Sequence, residues 1–137
     1  MNSTTIFLIA AIIFAVVMLV AVGALSRRLP KRLNQEYFRA RWAEILAGVK
    51  TPEGMVLAII DADKLLDEAL KKYGFRGKTM GERLVAAQRL ISDNDAVWYA
   101  HKLRNRLVHE PTVRLKKREA QNALAGFKCG LRDLGVL

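Results

Sequence analysis

Two imidazoles, a guanidinium and a side-chain amide lie close together in the stretch WYAHKLRNRLVHEP, Trp98 to Pro111. Read as a helix, this stretch turns Ala96, Ala100, Leu103 and Leu107 toward a core. At about 100° per residue, His101, Arg104, Asn105 and His109 then fall within an arc of about 140° beside that apolar stripe. Such a surface suits a phosphate: arginine binds it bidentately, and histidine moves protons near neutral pH. The same residues also have an ordinary structural use. Asn105 can satisfy a neighbouring carbonyl, His109 favours the negative end of a helix at its last turn, and the arginines can form a solvated face.

No other constellation competes. The sequence has no metal-ligand spacing, no cysteine and histidine close together, no glycine-rich nucleotide loop and no nucleophile elbow, so neither a metal nor a cofactor is expected. The basic loop Gly74 to Lys78 lacks P-loop spacing and reads as a turn. Asp61 and Asp63 invite a catalytic reading as paired carboxylates. They read better as a solvated helix face, because Asp61 with Lys64, Asp67 with Lys71 and Glu68 with Lys72 stand at ion-pairing spacings.

The run Arg104, Asn105, three further residues and His109 resembles the arginine, polar residue and histidine motif of HEPN domains, which are small all-helical bundles. AIIDADKLLDEAL at Ala58 to Leu70, YGFRGKTMGERL at Tyr73 to Leu84 and AHKLRNRLVHE at Ala100 to Glu110 are similar to HEPN-like proteins too. The resemblance covers roughly residues 36 to 137. It implies a dimeric, metal-independent ribonuclease, or an RNA-binding or protein-interaction module of the same fold. In the first case Arg104 would bind the scissile phosphate, His109 would act as general acid or base for attack by the ribose 2′-hydroxyl, and Asn105 would orient the pair. The alternative is a noncatalytic, membrane-tethered interaction or dimerisation module. An N-terminal anchor departs from the commonest soluble members of the family.

Charge sharpens the choice of partner. The net charge is +10, and it is concentrated at two places. Residues 27 to 50 carry seven basic and two acidic side chains, residues 51 to 95 seven and eight, and residues 96 to 137 nine and three. In the first block Arg27, Arg28, Lys31 and Arg32 are placed to meet anionic lipid headgroups. The last block lies far from them in sequence and calls for a polyanion, RNA foremost, with His101, Arg106, Arg114, Lys116, Lys117 and Arg118 as contacts.

The elements that must position these residues begin with Ile6 to Leu25, an uncharged, proline-free apolar run long enough to span a bilayer as a helix. A cleaved signal peptide is the rival reading, with Val22 and Ala24 as a cleavage site. Against it stand the full spanning length and the absence of a basic n-region. The basic flank after the span places the N-terminus outside and the rest in the cytoplasm, giving a single-pass protein of the inner (plasma) membrane. Residues 1–26 thus read as the anchor, 27–35 as a basic linker hinged at Pro30, and 36–137 as one domain. Lone Cys129 excludes an intrachain disulfide and reads as a buried structural thiol.

Within the domain, Leu33, Tyr37, Ala40, Trp42, Ile45, Leu46 and Val49 predict a first helix ending near Gly48 to Thr51. Thr51 and Pro52 open a second, ended at Gly74, with Val56, Ile59, Ile60, Leu66, Leu70 and Tyr73 inward. The Thr79 and Glu82 capping box opens a third through about Ile91, with Leu84, Val85, Ala87, Leu90 and Ile91 inward. A fourth runs from about Asp95 to His109 and a fifth from about Leu115 to Leu134. With no strand pattern or repeat, the expected fold is all-α: one transmembrane helix followed by an antiparallel HEPN-like bundle of about five helices.

Overall fold

A computed structural model describes residues 2–26, 33–110 and 112–137. It has six helices and, among the described residues, no strand. The chain divides into two compact units, Met1–Lys31 and Arg32–Leu137.

The first unit is helix α1, Ser3–Ser26, which carries no charged side chain. Its 24 residues rise to about 36 Å at roughly 1.5 Å each, more than the roughly 30 Å apolar core of a bilayer. Over Ser3–Ala24 no residue is buried, and length and composition make this helix apolar enough to cross a membrane. The basic cluster Arg27, Arg28, Lys31 and Arg32, and the hinge expected at Pro30, lie outside the described residues.

The second unit is a bundle of α2 (Gln35–Ala47), α3 (Pro52–Tyr73), α4 (Met80–Ala87), α5 (Asn94–His109) and α6 (Lys117–Asp133). Helix α3 packs against all four others, and α5 packs most extensively on α6. Local chemistry sets the ends of α3. Thr51 Oγ1 accepts from Gly54 N, Pro52 occupies the first turn where a missing N–H costs nothing, and Gly74 closes the helix in the left-handed region at φ 112°. All three expected ion pairs form along its outer face: Asp61 with Lys64, Asp67 with Lys71 and Glu68 with Lys72. The Glu68 carboxylate, through its hydrogen bond with Lys72, holds that ammonium above its usual pKa.

Three helices depart from their expected inward faces. In α2 the buried line is Phe38, Trp42 and Ile45, while Tyr37, Ala40 and Leu46 are exposed. Tyr37 sits edge-on to Phe38 and donates its hydroxyl to Glu68 Oε2, keeping the phenol wet. Helix α4 ends at Ala87, not near Ile91, because the Asn94 side chain takes the carbonyls of Gln88 and Ile91. Its one buried stripe is Met80, Arg83, Leu84 and Ala87, which leaves Val85 and Leu90 exposed. Cys129 on α6 is half-buried, not buried, with Sγ near Ser92 Oγ and Asp133 Oδ2.

Close helix contact comes from α6. A Cβ on Gly126 would stand 2.3 Å from the Ala96 carbonyl oxygen, so glycine alone lets α6 approach α5 this closely. Phe127 and Leu131, fully buried, complete the core with Ile59, Leu66, Leu70 and Val97. Phe38→Ala is expected to lower unfolding free energy by about 3–5 kcal/mol, whereas Leu57→Ala, at a side chain 60% exposed, shifts it by less than about 0.5 kcal/mol. Urea unfolding of the full chain in nonionic micelles, followed by circular dichroism, reads both.

Candidate functional site

The polar residues of α5 gather around a carboxylate that belongs to α3. Asp63 follows Ile59 by four residues and precedes Leu66 by three and Leu70 by seven, so helical geometry carries it onto the buried face. It is 4% exposed, which corrects the expectation of a solvated Asp63. A buried carboxylate must be paired, and α5 supplies the partners. His101 Nδ1 lies 2.8 Å from Asp63 Oδ1, and Arg104 Nε lies 3.4 Å from Oδ2. That second contact is an ion pair without hydrogen-bond geometry, and the buried Nε has no other acceptor among the described residues.

Donor and acceptor roles propagate from the arginine. Arg104 Nη1 donates to Asn105 Oδ1 at 2.9 Å, and since a guanidinium only donates, the amide oxygen must face it. Asn105 Nδ2 therefore points at His101 Nε2, 3.3 Å away, which must accept. On the other side of the ring, Nδ1 carries a proton donated to the Asp63 carboxylate. Trp98 packs edge-on against the His101 ring and limits its rotation.

A second carboxylate, one turn along α3, works in the same way on α4. Arg83, with a side chain 6% exposed, donates from Nε to Asp67 Oδ1 at 2.7 Å and from Nη2 to Oδ2 at 3.0 Å. Its remaining nitrogen, Nη1, donates to the Gly77 carbonyl, tying down the loop that leads into α4. Burial pushes the Asp67 carboxyl up, but hydrogen bonds from Arg83 and Lys71 outweigh it and hold the group below the usual carboxylate range.

Together these residues line an open cleft of about 500 Å³. Asp63, Arg83, Met80 and His101 are its buried lining residues; Arg104 and Asn105 of α5 and Lys78, Thr79 and Gly81 at the start of α4 line it with them. Of the residues singled out from the sequence, His101, Arg104 and Asn105 meet here. His109 does not line the cleft: as the last residue of α5 it is exposed, five residues and about 140° of helix rotation from Arg104. Arg106 is exposed and paired with Glu119 at 3.2 Å. The Lys116 backbone N–H, joined by Arg106, holds the Glu119 carboxyl below its usual pKa. Arg114, Lys116, Lys117 and Arg118 are exposed around the start of α6 and do not line the cleft.

Sequence reasoning missed Asp63, Lys78 and the Asp67 pairing with Arg83. Asp63 had a signal, since it interrupts the line of Ile59, Leu66 and Leu70. Arg83 had one as well, beside Leu84 and three residues from Met80 on a short amphipathic helix. Comparison of the chain with protein-family models, curated proteins and solved structures finds no match.

Two outcomes follow from this geometry. Asp63→Ala strands the His101 N–H and the Arg104 guanidinium, and is expected to cost about 1–3 kcal/mol of stability in urea unfolding. Because the folded Asp67 pKa is depressed, its contribution is complete above the ordinary value of about 3.9 and is lost as pH falls through the lower folded value. Melting temperatures of the parent and Asp67→Asn chains should therefore converge as pH drops below about 4; parallel curves would contradict the assigned pairing.

Proposed function

We propose that this chain is a single-pass protein of the inner (plasma) membrane, with its N-terminus outside and a cytoplasmic HEPN-like bundle that binds RNA. The observation that carries the reading is the Arg104 guanidinium. It is held beside the cleft by Asp63 and Asn105, yet its side chain is still 26% exposed. An arginine fixed at one end and open at the other is suited to a phosphate oxygen. The exposed Arg114, Lys116, Lys117 and Arg118 extend the electrostatic footprint at the start of α6. Orientation rests on the basic run after the apolar helix.

Cleavage needs more than one chain can offer. His109, the proposed acid or base, lies outside the cleft that holds Arg104. Metal-independent cleavage would therefore belong to a homodimer in which His109 from one copy serves the Arg104 of the other. Its exposure on the last turn leaves it accessible to a second copy.

The full chain in nonionic micelles, mixed with labelled single-stranded RNA and EDTA, tests both parts. Arg104→Ala is expected to weaken binding about tenfold, and His109→Ala to abolish any cleavage while leaving binding within about twofold. Loss of a phosphate contact also lowers the salt dependence of binding by roughly 0.7 in log–log slope. Equal RNA affinity of the parent and Arg104→Ala chains would overturn the reading, in favour of a noncatalytic interaction or dimerisation module.

A further inference from the structure

Helix α6 gives one face to the core and leaves the other bare. Ala120, Ala123, Phe127 and Leu131 are buried against α3 and α5. At about 100° per residue, Lys117, Arg118, Gln121, Ala125, Lys128 and Arg132 fall within an arc of about 100° on the far side, and all six are exposed. From Lys117 to Arg132 the stripe runs about 22 Å at roughly 1.5 Å per residue. No acid stands in that arc. Glu119 lies outside it, held by Arg106 and the Lys116 N–H, and Asp133 lies outside it, accepting from Ser92 N and Oγ. With Asp93 and Asp95 of α5 counted in, residues 92–137 still carry nine basic and five acidic side chains.

The place of this stripe in the chain selects its anion. Three residues past Arg132, the Gly135 carbonyl accepts from Gln35 Nε2 at 2.7 Å, so the end of α6 adjoins the start of α2. Leu33 already packs on the core, and α1 ends at Ser26. Residues 27 to 32 therefore join the two units, and fully extended they reach no farther than about 25 Å. For a bundle tethered so closely, the headgroups of the bilayer that α1 crosses stand at an effective concentration on the order of millimolar. Each basic side chain near an anionic leaflet strengthens association about fivefold. The stripe holds no aromatic ring on which a nucleic-acid base could stack, and a flat row of charges fits a flat charged surface.

We propose that the exposed face of α6 rests on the anionic leaflet of that bilayer, where lipid phosphates meet Lys117, Arg118, Lys128 and Arg132. The inference rests on the membrane anchoring proposed above and not on RNA binding, which is carried by Arg104 in the cleft. Lys128 and Arg132 lie outside the basic group assigned to RNA.

The full chain in nanodiscs tests the docking through reductive methylation of lysine by formaldehyde, a neutral reagent, read by mass spectrometry. Discs of phosphatidylcholine alone are compared with discs holding about one-third phosphatidylglycerol. In the anionic discs Lys117 and Lys128 should react about fivefold more slowly, while Lys50 and Lys64, exposed elsewhere on the bundle, keep their rates. Sodium chloride at about 0.5 M should remove the protection by screening. Arg118→Gln combined with Arg132→Gln, both at exposed positions, should return Lys128 to its rate in neutral discs. Equal rates in the two discs, or protection that survives salt or the double variant, overturns the proposal. Protection by single-stranded RNA over neutral discs, and none by anionic lipid, assigns the stripe to RNA and overturns it too. A chain that co-purifies with neither disc removes the membrane anchoring and the docking with it; one that incorporates yet reacts equally removes the docking alone.

Discussion

A carboxylate in the middle of α3, shut away from water, is the constraint on which the second unit is arranged. Asp63 lies among Ile59, Ala62, Leu66 and Leu70, where an unpaired negative charge could not be tolerated. Its oxygens are met by His101 and Arg104, both from α5, so α5 must dock in the register that brings them there. One turn later Asp67 fixes α4 through Arg83. Apolar packing alone tolerates sliding and exchange of similar side chains. Two carboxylates on one ridge of α3, each requiring an arginine from a different helix, remove that freedom.

The same ridge places the chemistry. Arg104 is a ligand of Asp63 on one side and part of the cleft lining on the other, so the interaction that orders the bundle also orients the guanidinium. Asn105 relays that order to His101, against whose Nε2 its amide nitrogen stands. The basic side chains near the start of α6 answer to none of this. Arg114, Lys116, Lys117 and Arg118 are exposed and serve the surface more than the core.

Helix α3 was legible in the sequence to the residue, since Thr51, Pro52 and Gly74 each have a local reason to start or stop a helix. The ion pairs on its outer face were equally local, at spacings of three and four. Asp63 was misread because its neighbours Asp61, Lys64 and Asp67 suggest a solvated row; its burial depends on α5, a partner remote in sequence. Periodicity placed the α2 stripe one residue off at Tyr37, since an aromatic ring with a hydroxyl fits either an apolar or a wet position. It overran α4 because the turn at Gln88 is imposed by Asn94, a side chain beyond the helix. The arc that gathered His101, Arg104, Asn105 and His109 was geometrically sound for a helix. The cleft uses only the part of α5 that lies against α3 and α4, and His109 falls past it.

Helix α1 bears on how association of this protein must be measured. Phe7, Leu8, Phe14 and Leu19 all stand exposed on it, as part of a continuous apolar surface far larger than monomers keep in water. Without amphiphile, copies would adhere through α1 whatever their bundles do, and a sizing column would register clustering of hydrocarbon. A genuine pairing of bundles is the part of association that persists at low occupancy, with about one chain in each micelle or nanodisc, and that responds to changes in residues 33–137.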